Sequence, residues 1–368
     1  MKKTIIGLCV VALIAVFGGR AWYLQSQKKT EKIDKVIKIG AVLPMSGALS
    51  DDGSMTQKAL TEAFNEFNQS SDFKVKLVVE DGKFTAKDSI SAFRKLQSDN
   101  INIVFIYGDV PAIAIQPISK EQNLPIYANA LKTLDLGVNF FPDTSYLIDY
   151  SSDFVMNDLN AKSASILYLK GIETEFMAKH FEDRLAEKNI PVLRKDSFAI
   201  DATDARSLIT KILEPNPEVV AIFGWGALYP KLINTLREQG FTGPIITDWN
   251  ITTYTNVIGT KHPLYWTDTR FDFNSDDVEL RNFVKRFEKK YQRSPSSFSM
   301  MNYIAAKIIA SSIKKYDYDV QEVYKNILNT RDFSSVLGPI SIGENNHMRV
   351  PLVIKQMQAD GTIKIIKK

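Results

Sequence analysis

Three histidines, one cysteine and many carboxylates are the side chains of this sequence with catalytic potential, and their spacing builds no reaction centre. His180, His262 and His347 are scattered, with no two at metal-ligand spacing. His180 falls on an amphipathic stretch beside Lys179 and Glu182, where an exposed side chain is expected. No strand-like run leads into a Gly-x-Ser-x-Gly elbow, a phosphate loop or a Gly-x-Gly-x-x-Gly turn. Gly224-Trp225-Gly226 is too short a glycine signal to cradle a dinucleotide. A glycosidase-like pair of acids is the one catalytic arrangement that composition leaves open. The pattern points to binding without chemistry, with no cofactor and no metal.

The residues suited to holding a small molecule are different ones. Trp225 and Trp249 each follow a strand-like run, and their faces would stack on a planar, sugar-like or cationic ligand, or else pack a core. Asp109, Glu173 and Asp248 would together favour a cationic group, while singly each reads as a surface acid. Lys132 suits an anionic group or simple solvation. Ser46 and Asp52 sit in the first strand-to-helix loop, where Ser46 either meets ligand or satisfies local backbone. Asp52 either walls a site or caps the helix.

Elements of alternating type must position these residues. Strand-like runs are expected at 36–43, 75–80, 101–107 and 124–128. Between them lie a loop at 44–53 and a helix carrying Met55, Ala59, Ala63, Phe64 and Phe67 on one face. A helix follows at 86–96, and another starts at Pro117. The alternation restarts with strands at 165–169, 192–198, 219–223 and 244–247 and helices at 173–188, 204–213 and 229–239. Three helices are expected within 276–329, and short strands at 340–342, 352–356 and 363–366 close the chain. Continuous apolar strands separated by helices make parallel sheets covered on both faces, so the fold class is α/β with two units of similar architecture.

The N-terminus stands apart. Lys2 and Lys3 precede an apolar run over 5–19, the charged and apolar regions of an export signal. Arg20 interrupts the small-residue stretch, and Trp22 and Tyr23 prolong the apolar character, so 4–24 approaches the length of a membrane span. A cleaved signal and an uncleaved anchor both stand, and both mean export. Cys9, the only cysteine, lies in this leader and too early for lipid attachment; the rest of the chain has no thiol. Residues 25–35 read as a polar tether. The net charge of +4 comes largely from Lys2, Lys3 and Arg20; without them acids and bases nearly balance, and no basic field argues for nucleic acid.

Four segments carry a resemblance. They are Ile37-Lys-Ile-Gly-Ala-Val-Leu-Pro-Met-Ser-Gly47, residues 108–130 with Gln116-Pro117 and Leu124-Pro125-Ile126, Leu236-Arg-Glu-Gln-Gly-Phe-Thr-Gly-Pro-Ile-Ile246, and Phe283-Val-Lys-Arg-Phe-Glu-Lys-Lys-Tyr-Gln-Arg-Ser-Pro295 with Tyr303-Ile-Ala-Ala. In this order they resemble the branched-chain amino-acid-binding family of ABC-transporter solute receptors. The resemblance implies a two-lobed periplasmic-binding-protein type I fold, monomeric, in the periplasm or at the outer face of the cytoplasmic membrane. Lobe 1 would take 36–143 plus 269–345 and lobe 2 would take 144–268 plus 346–368, with crossings near 141–144, 267–271 and 345–349. A small ligand would bind between the lobes and be handed to an inner-membrane ABC permease. The alternative is an envelope sensor or regulatory interaction module on the same fold. The family's hydroxyl contacts fall here on Ala112 and Lys132, with Thr133 one residue on. Its aromatic-Gly pair falls on Glu173-Thr174, and its later acidic contact near Asp248 or Trp249. An ordinary α-amino acid is therefore not the expected ligand.

Overall fold

The computed structural model describes residues 36–367 except 72–73, 132, 260, 272–276 and 317. The leader, the tether, Cys9 and Lys132 lie outside the described residues.

The first sheet is wholly parallel, in the order β2-β1-β3-β4-β5. Its strands are β1 (Val36–Leu43), β2 (Lys74–Asp81), β3 (Val104–Tyr107), β4 (Ile126–Asn129) and β5 (Gly137–Asn139). Ile39, Ala41 and Leu43 of β1 join a core with α1 (Ser50–Ser70), while Val42 packs on the opposite face with Phe93 and Leu96 of α2 (Ala86–Ser98) and Ile115 of α3 (Asp109–Glu121). Burial on both faces explains why β1 is apolar almost throughout rather than alternating.

The second sheet runs β14-β13-β10-β9-β8-β6-β7. The parallel part comprises β6 (Ala164–Leu169), β7 (Val192–Phe198), β8 (Val219–Phe223), β9 (Ile245–Thr247) and β10 (Leu264–Thr269). The antiparallel strands β13 (Leu352–Met357) and β14 (Ile363–Lys367) extend it. One face is covered by α4 (Thr144–Asp153) and α5 (Ile172–Ala186), the other by α6 (Ala205–Leu213) and α7 (Leu228–Glu238). The late helices α8 (Val278–Tyr291), α9 (Ser297–Tyr316) and α10 (Val320–Leu328) return to the first sheet, with α9 lying along α1 and α10 beside β5. A small hairpin of β11 (Ser341–Ile342) and β12 (Met348–Arg349) precedes β13.

Two helix starts differ from expectation. The first helix begins at Ser50, so Gly53 is helical and Asp52 lies in the first turn without capping it; the cap position is Leu49. Helix α3 begins at Asp109, well before Pro117. The strand β5, helix α4 and strand β10 were not expected from the sequence pattern.

Candidate functional site

In each parallel sheet the connections leave in opposite directions at one point, between β1 and β3 in the first sheet and between β6 and β8 in the second. Loops part there and leave a crevice beyond the strands' C-terminal ends. The helices that start at these points are α1, α3, α5 and α7. None has a side-chain cap: they open at Leu49, Gly108, Gly171 and Ala227. Five helices placed elsewhere are capped by Thr85, Asp143, Asp204, Asp277 and Asp319. The helix ends at the crevice thus keep first-turn N–H donors that no N-cap side chain takes up.

The first lobe's wall follows from its loops. Ser46 donates a 2.6 Å hydrogen bond to Asp81 Oδ2, and Asp81 Oδ1 accepts from the Met45 and Lys83 amides, each at 2.9 Å. Ser46 is therefore engaged within its own lobe. The Asp52 carboxyl keeps solvent access, and the protein crowded around it together with the charge of Asp51 pushes its pKa up. Gly108 holds φ at +83°, where a Cβ would stand 2.4 Å from Phe84 Cε2, so the turn into α3 requires glycine. That turn delivers half-buried Asp109, whose Oδ1 accepts from the Leu131 amide at 3.1 Å. Ala112 is fully buried, its methyl in the core with Val42, Ile106 and Ile115. Thr133 is exposed and reaches His347 Nε2 at 3.2 Å.

The second lobe's wall is acidic and aromatic. Glu173 occupies the first turn of α5; its Oε1 is enclosed and accepts no hydrogen bond among the described residues. Burial, then the charges of Asp109 and Asp248, push its pKa up to about 8. Asp248 is buried and accepts from the Gly224 amide at 2.6 Å and the Asn250 amide at 2.8 Å; burial raises it to about 7 against those donors. Trp225 is 38% exposed on the loop after β8, whereas Trp249 is 7% exposed, edge-on to Phe141 at 5.6 Å.

The charges of Asp109 and Asp248 thus both bear on Glu173, and Trp225 is partly exposed on the loop that also bonds Asp248, while Trp249 packs against Phe141 where the chain crosses between sheets. His180, expected exposed, is half-buried: it bonds Asp149 Oδ1 at 2.8 Å and stacks on Phe176. Residue types did not reveal the hinge. His347 is fully buried, with Nδ1 3.1 Å from the Phe141 carbonyl and Nε2 3.1 Å from Asn139 Nδ2. Nδ1 thus donates, Nε2 accepts, and burial pushes the imidazole pKa down. Nearby, Phe141, Trp249, Asp268, Ser297 and Phe298 line a small cavity with room for about one water. The signal for these residues was their position where the chain changes sheets.

The family described as periplasmic binding protein matches residues 36–362. A Leu/Ile/Val-binding protein homolog of Brucella suis biovar 1 is 24% identical over 383 residues, covering 95% of each chain. Among solved structures, an ABC transporter substrate-binding protein from Sphaerobacter thermophilus superposes with a TM-score of 0.81 at 17% identity, covering 91% of this chain and 97% of the other. A leucine binding protein from Thermotoga maritima gives 0.75 at 20% identity, covering 89% and 97%. These likenesses show the two-lobed type I fold. With the family match over nearly all described residues, this chain belongs to the periplasmic binding protein family, as a non-catalytic extracytoplasmic receptor that takes a small ligand between its lobes.

Proposed function

We propose that this receptor captures a small solute bearing a cationic group and presents it to an ABC-type permease. The observation that carries the ligand class is the enclosed Glu173 Oε1, without a hydrogen-bond partner among the described residues, on which the charges of Asp109 and Asp248 bear. An ionised carboxylate is expensive to enclose without a counter-charge, and an ammonium or guanidinium group supplies one with donors. Trp225 adds an aromatic face, which attracts cations. The uncapped starts of α3 and α5 offer amides, but Asp109 and Glu173 occupy those first turns and set the local field against an anion. Ala112 and Lys132, in place of the family's hydroxyls, also argue against an ordinary α-amino acid. We place the lobes at 36–143 plus 269–345 and 144–268 plus 346–368, with 1–24 as export signal or membrane anchor and the protein monomeric. Asp52 and Trp225 would line the mouth, and Ser46, Ala112 and Trp249 would support it from behind.

A thermal-shift screen of the purified chain tests this reading. Putrescine, agmatine and choline are compared with uncharged analogues of similar size, with amino acids and with aromatic acids. A ligand that binds only the folded state stabilises it by RT ln(1 + [L]/Kd), about 4 kcal/mol at a thousandfold excess. A shift of several degrees confined to the cations is expected. A shift confined to acids or neutral amino acids overturns the ligand class, and a flat screen after refolding favours an interaction module.

A further inference from the structure

Tyr107 and Asn129 close the strands β3 and β4 and are register partners there, beside the point where the first sheet's connections part. Phe105 and Tyr127, two residues earlier on the same strands, join the core that α1 and α9 cover, so Tyr107 and Asn129 share that face of the sheet. The Tyr107 hydroxyl and Asn129 Oδ1 have no hydrogen-bond partner among the described residues, yet neither atom is enclosed as Glu173 Oε1 is. We infer that these two atoms form a first-lobe subsite that accepts hydrogen bonds from the solute, with Asn302 and Phe84 as the residues that position them. Under the cationic reading, on which the choice of donor rests, that donor is an ammonium group that keeps its N–H bonds.

A buried chain of side chains orients Asn129. Its Nδ2 donates to Asn302 Oδ1 at 2.8 Å, and Asn302 Nδ2 donates to Thr56 Oγ1 at 3.1 Å, all three residues being buried. The chain runs from β4 through α9 to α1, and it commits the amide donor of Asn129 to the interior while its acceptor looks outward. A carbonyl oxygen beside a phenol oxygen suits a group with several N–H donors. A carboxylate, which only accepts, would find a single phenol proton there.

Tyr107 is held at a steric cost. The Thr85 amide donates to the Gly82 carbonyl at 3.0 Å and closes a turn in which Lys83 and Phe84 keep φ at +48° and +59°. A turn left-handed at both central positions favours asparagine and glycine, and a bulky residue in it is strained. The turn follows β2 and carries Phe84 past the end of β1 to β3. There the Phe84 ring lies edge-on to Tyr107 at 6.2 Å and fills the space beside Gly108. Strained backbone that persists at a binding crevice points to a functional constraint. Here it fixes the Tyr107 ring and so the place of its hydroxyl.

Calorimetric titration of the full chain in detergent tests the subsite with putrescine and with its bis-quaternary form, in which methyl groups replace every N–H bond at unchanged charge. The parent should bind putrescine more tightly by about tenfold or more. Tyr107→Phe removes only the hydroxyl, and its putrescine affinity should fall by about tenfold while its unfolding midpoint stays that of the parent. Its affinity for the bis-quaternary form should not change, so the discrimination narrows. Asn129→Ala should narrow it too, at some cost in stability because Asn302 Oδ1 loses its donor; if that variant fails to fold, Tyr107→Phe decides. Unchanged putrescine affinity in Tyr107→Phe overturns the subsite. Equal binding of the two forms by the parent overturns it as well and leaves the cationic reading intact. A parent that ignores both cations but binds leucine, with about tenfold less affinity in Tyr107→Phe, overturns the cationic reading and keeps the subsite. Preference for benzoate would mean that Asn129 turns Nδ2 outward, which overturns the acceptor pair, and no binding of any of these probes overturns both.

Discussion

Lys355 Nζ lies 2.8 Å from Asp268 Oδ2, and both side chains are almost wholly buried where β13 pairs with β10 at the lobe junction. Asp268 Oδ1 accepts from the Thr269 amide at 2.7 Å, and Ser297 Oγ, on α9 of the first lobe, stands 3.3 Å from Oδ2. Three parts of the chain therefore meet on one carboxylate. Removing one partner strands a buried charge, so Lys355→Met should destabilise by about 3–5 kcal/mol. The double change Lys355→Met with Asp268→Leu should recover much of that loss. Urea unfolding of the single and double variants measures both, and a double variant no better than the single one would show that the charges act independently.

The two tryptophans should separate cleanly in experiment. Trp225 is partly exposed at the crevice, so Trp225→Ala should leave the unfolding midpoint nearly unchanged. It should weaken cation binding by roughly 2- to 30-fold, the range of about 0.5–2 kcal/mol for a cation on an aromatic face. Trp249 is buried against Phe141, and Trp249→Ala should cost about 3–5 kcal/mol of stability through the cavity it leaves. Calorimetric titration and chemical denaturation of the pair decide the matter; the reverse pattern would exchange their roles.

The same contrast shows what was legible in the sequence. Strands and most helices were, because burial on both faces writes apolar runs and amphipathic helices write a period. The acids Asp109, Glu173 and Asp248 were legible as candidates, since each lies just past a strand. They were also read as jointly favouring a cation, but the burial that raises Glu173 was not legible, because it depends on loops distant in sequence. Gly53 misled as a loop residue: it is helical, and a Cβ there would meet the Pro44 carbonyl at 2.1 Å, so contact selects glycine rather than backbone freedom. Pro117 misled as a helix start, whereas α3 already has Pro111 in its first turn, where no intrahelical N–H bond is lost. His347 and Asp268 fall within the crossings expected near 345–349 and 267–271, but their pairings were opaque because their partners lie far away in sequence.

Arg237 predicts a stability effect without a binding effect. Its guanidinium donates to the carbonyls of Phe241, Gly243 and Pro263 at 2.7–2.8 Å, tying the end of α7 to the entries of β9 and β10. Burial lowers its pKa to about 10, which leaves it charged at neutral pH. Arg237→Leu leaves three carbonyls without this donor. It should destabilise by about 2–4 kcal/mol, given about 1–3 kcal/mol for one unsatisfied buried group and partial rescue by water. Ligand affinity should not change, because these contacts lie at the N-terminal ends of the strands, away from the crevice. A variant that loses affinity at unchanged stability would contradict this account.

His347 should make the acid limb of the stability curve steeper. Burial holds its pKa below the ordinary 6.5, opposed by the Phe141 carbonyl and by Asp143 and Asp109 and reinforced by Arg349. The unfolded chain therefore binds more protons than the folded one between the lowered value and 6.5. Stability from the neutral ring is fully present above 6.5 and is lost as pH falls through that window. Glu173 acts with the opposite sign: its raised pKa means that stability declines as pH rises from about 4.5 toward about 8. The two overlap in the wild-type curve, so the informative quantity is the difference from a variant. His347→Gln keeps a polar side chain but cannot titrate, and its difference in unfolding free energy from the parent should shrink between about pH 7.5 and about pH 5. Urea titrations at the two pH values supply that difference. If it stays constant, the ring does not titrate in this window, and acid sensitivity at the hinge must come from Asp143, which Ser145, Asn345 and Arg349 hold below the usual carboxylate range despite its burial.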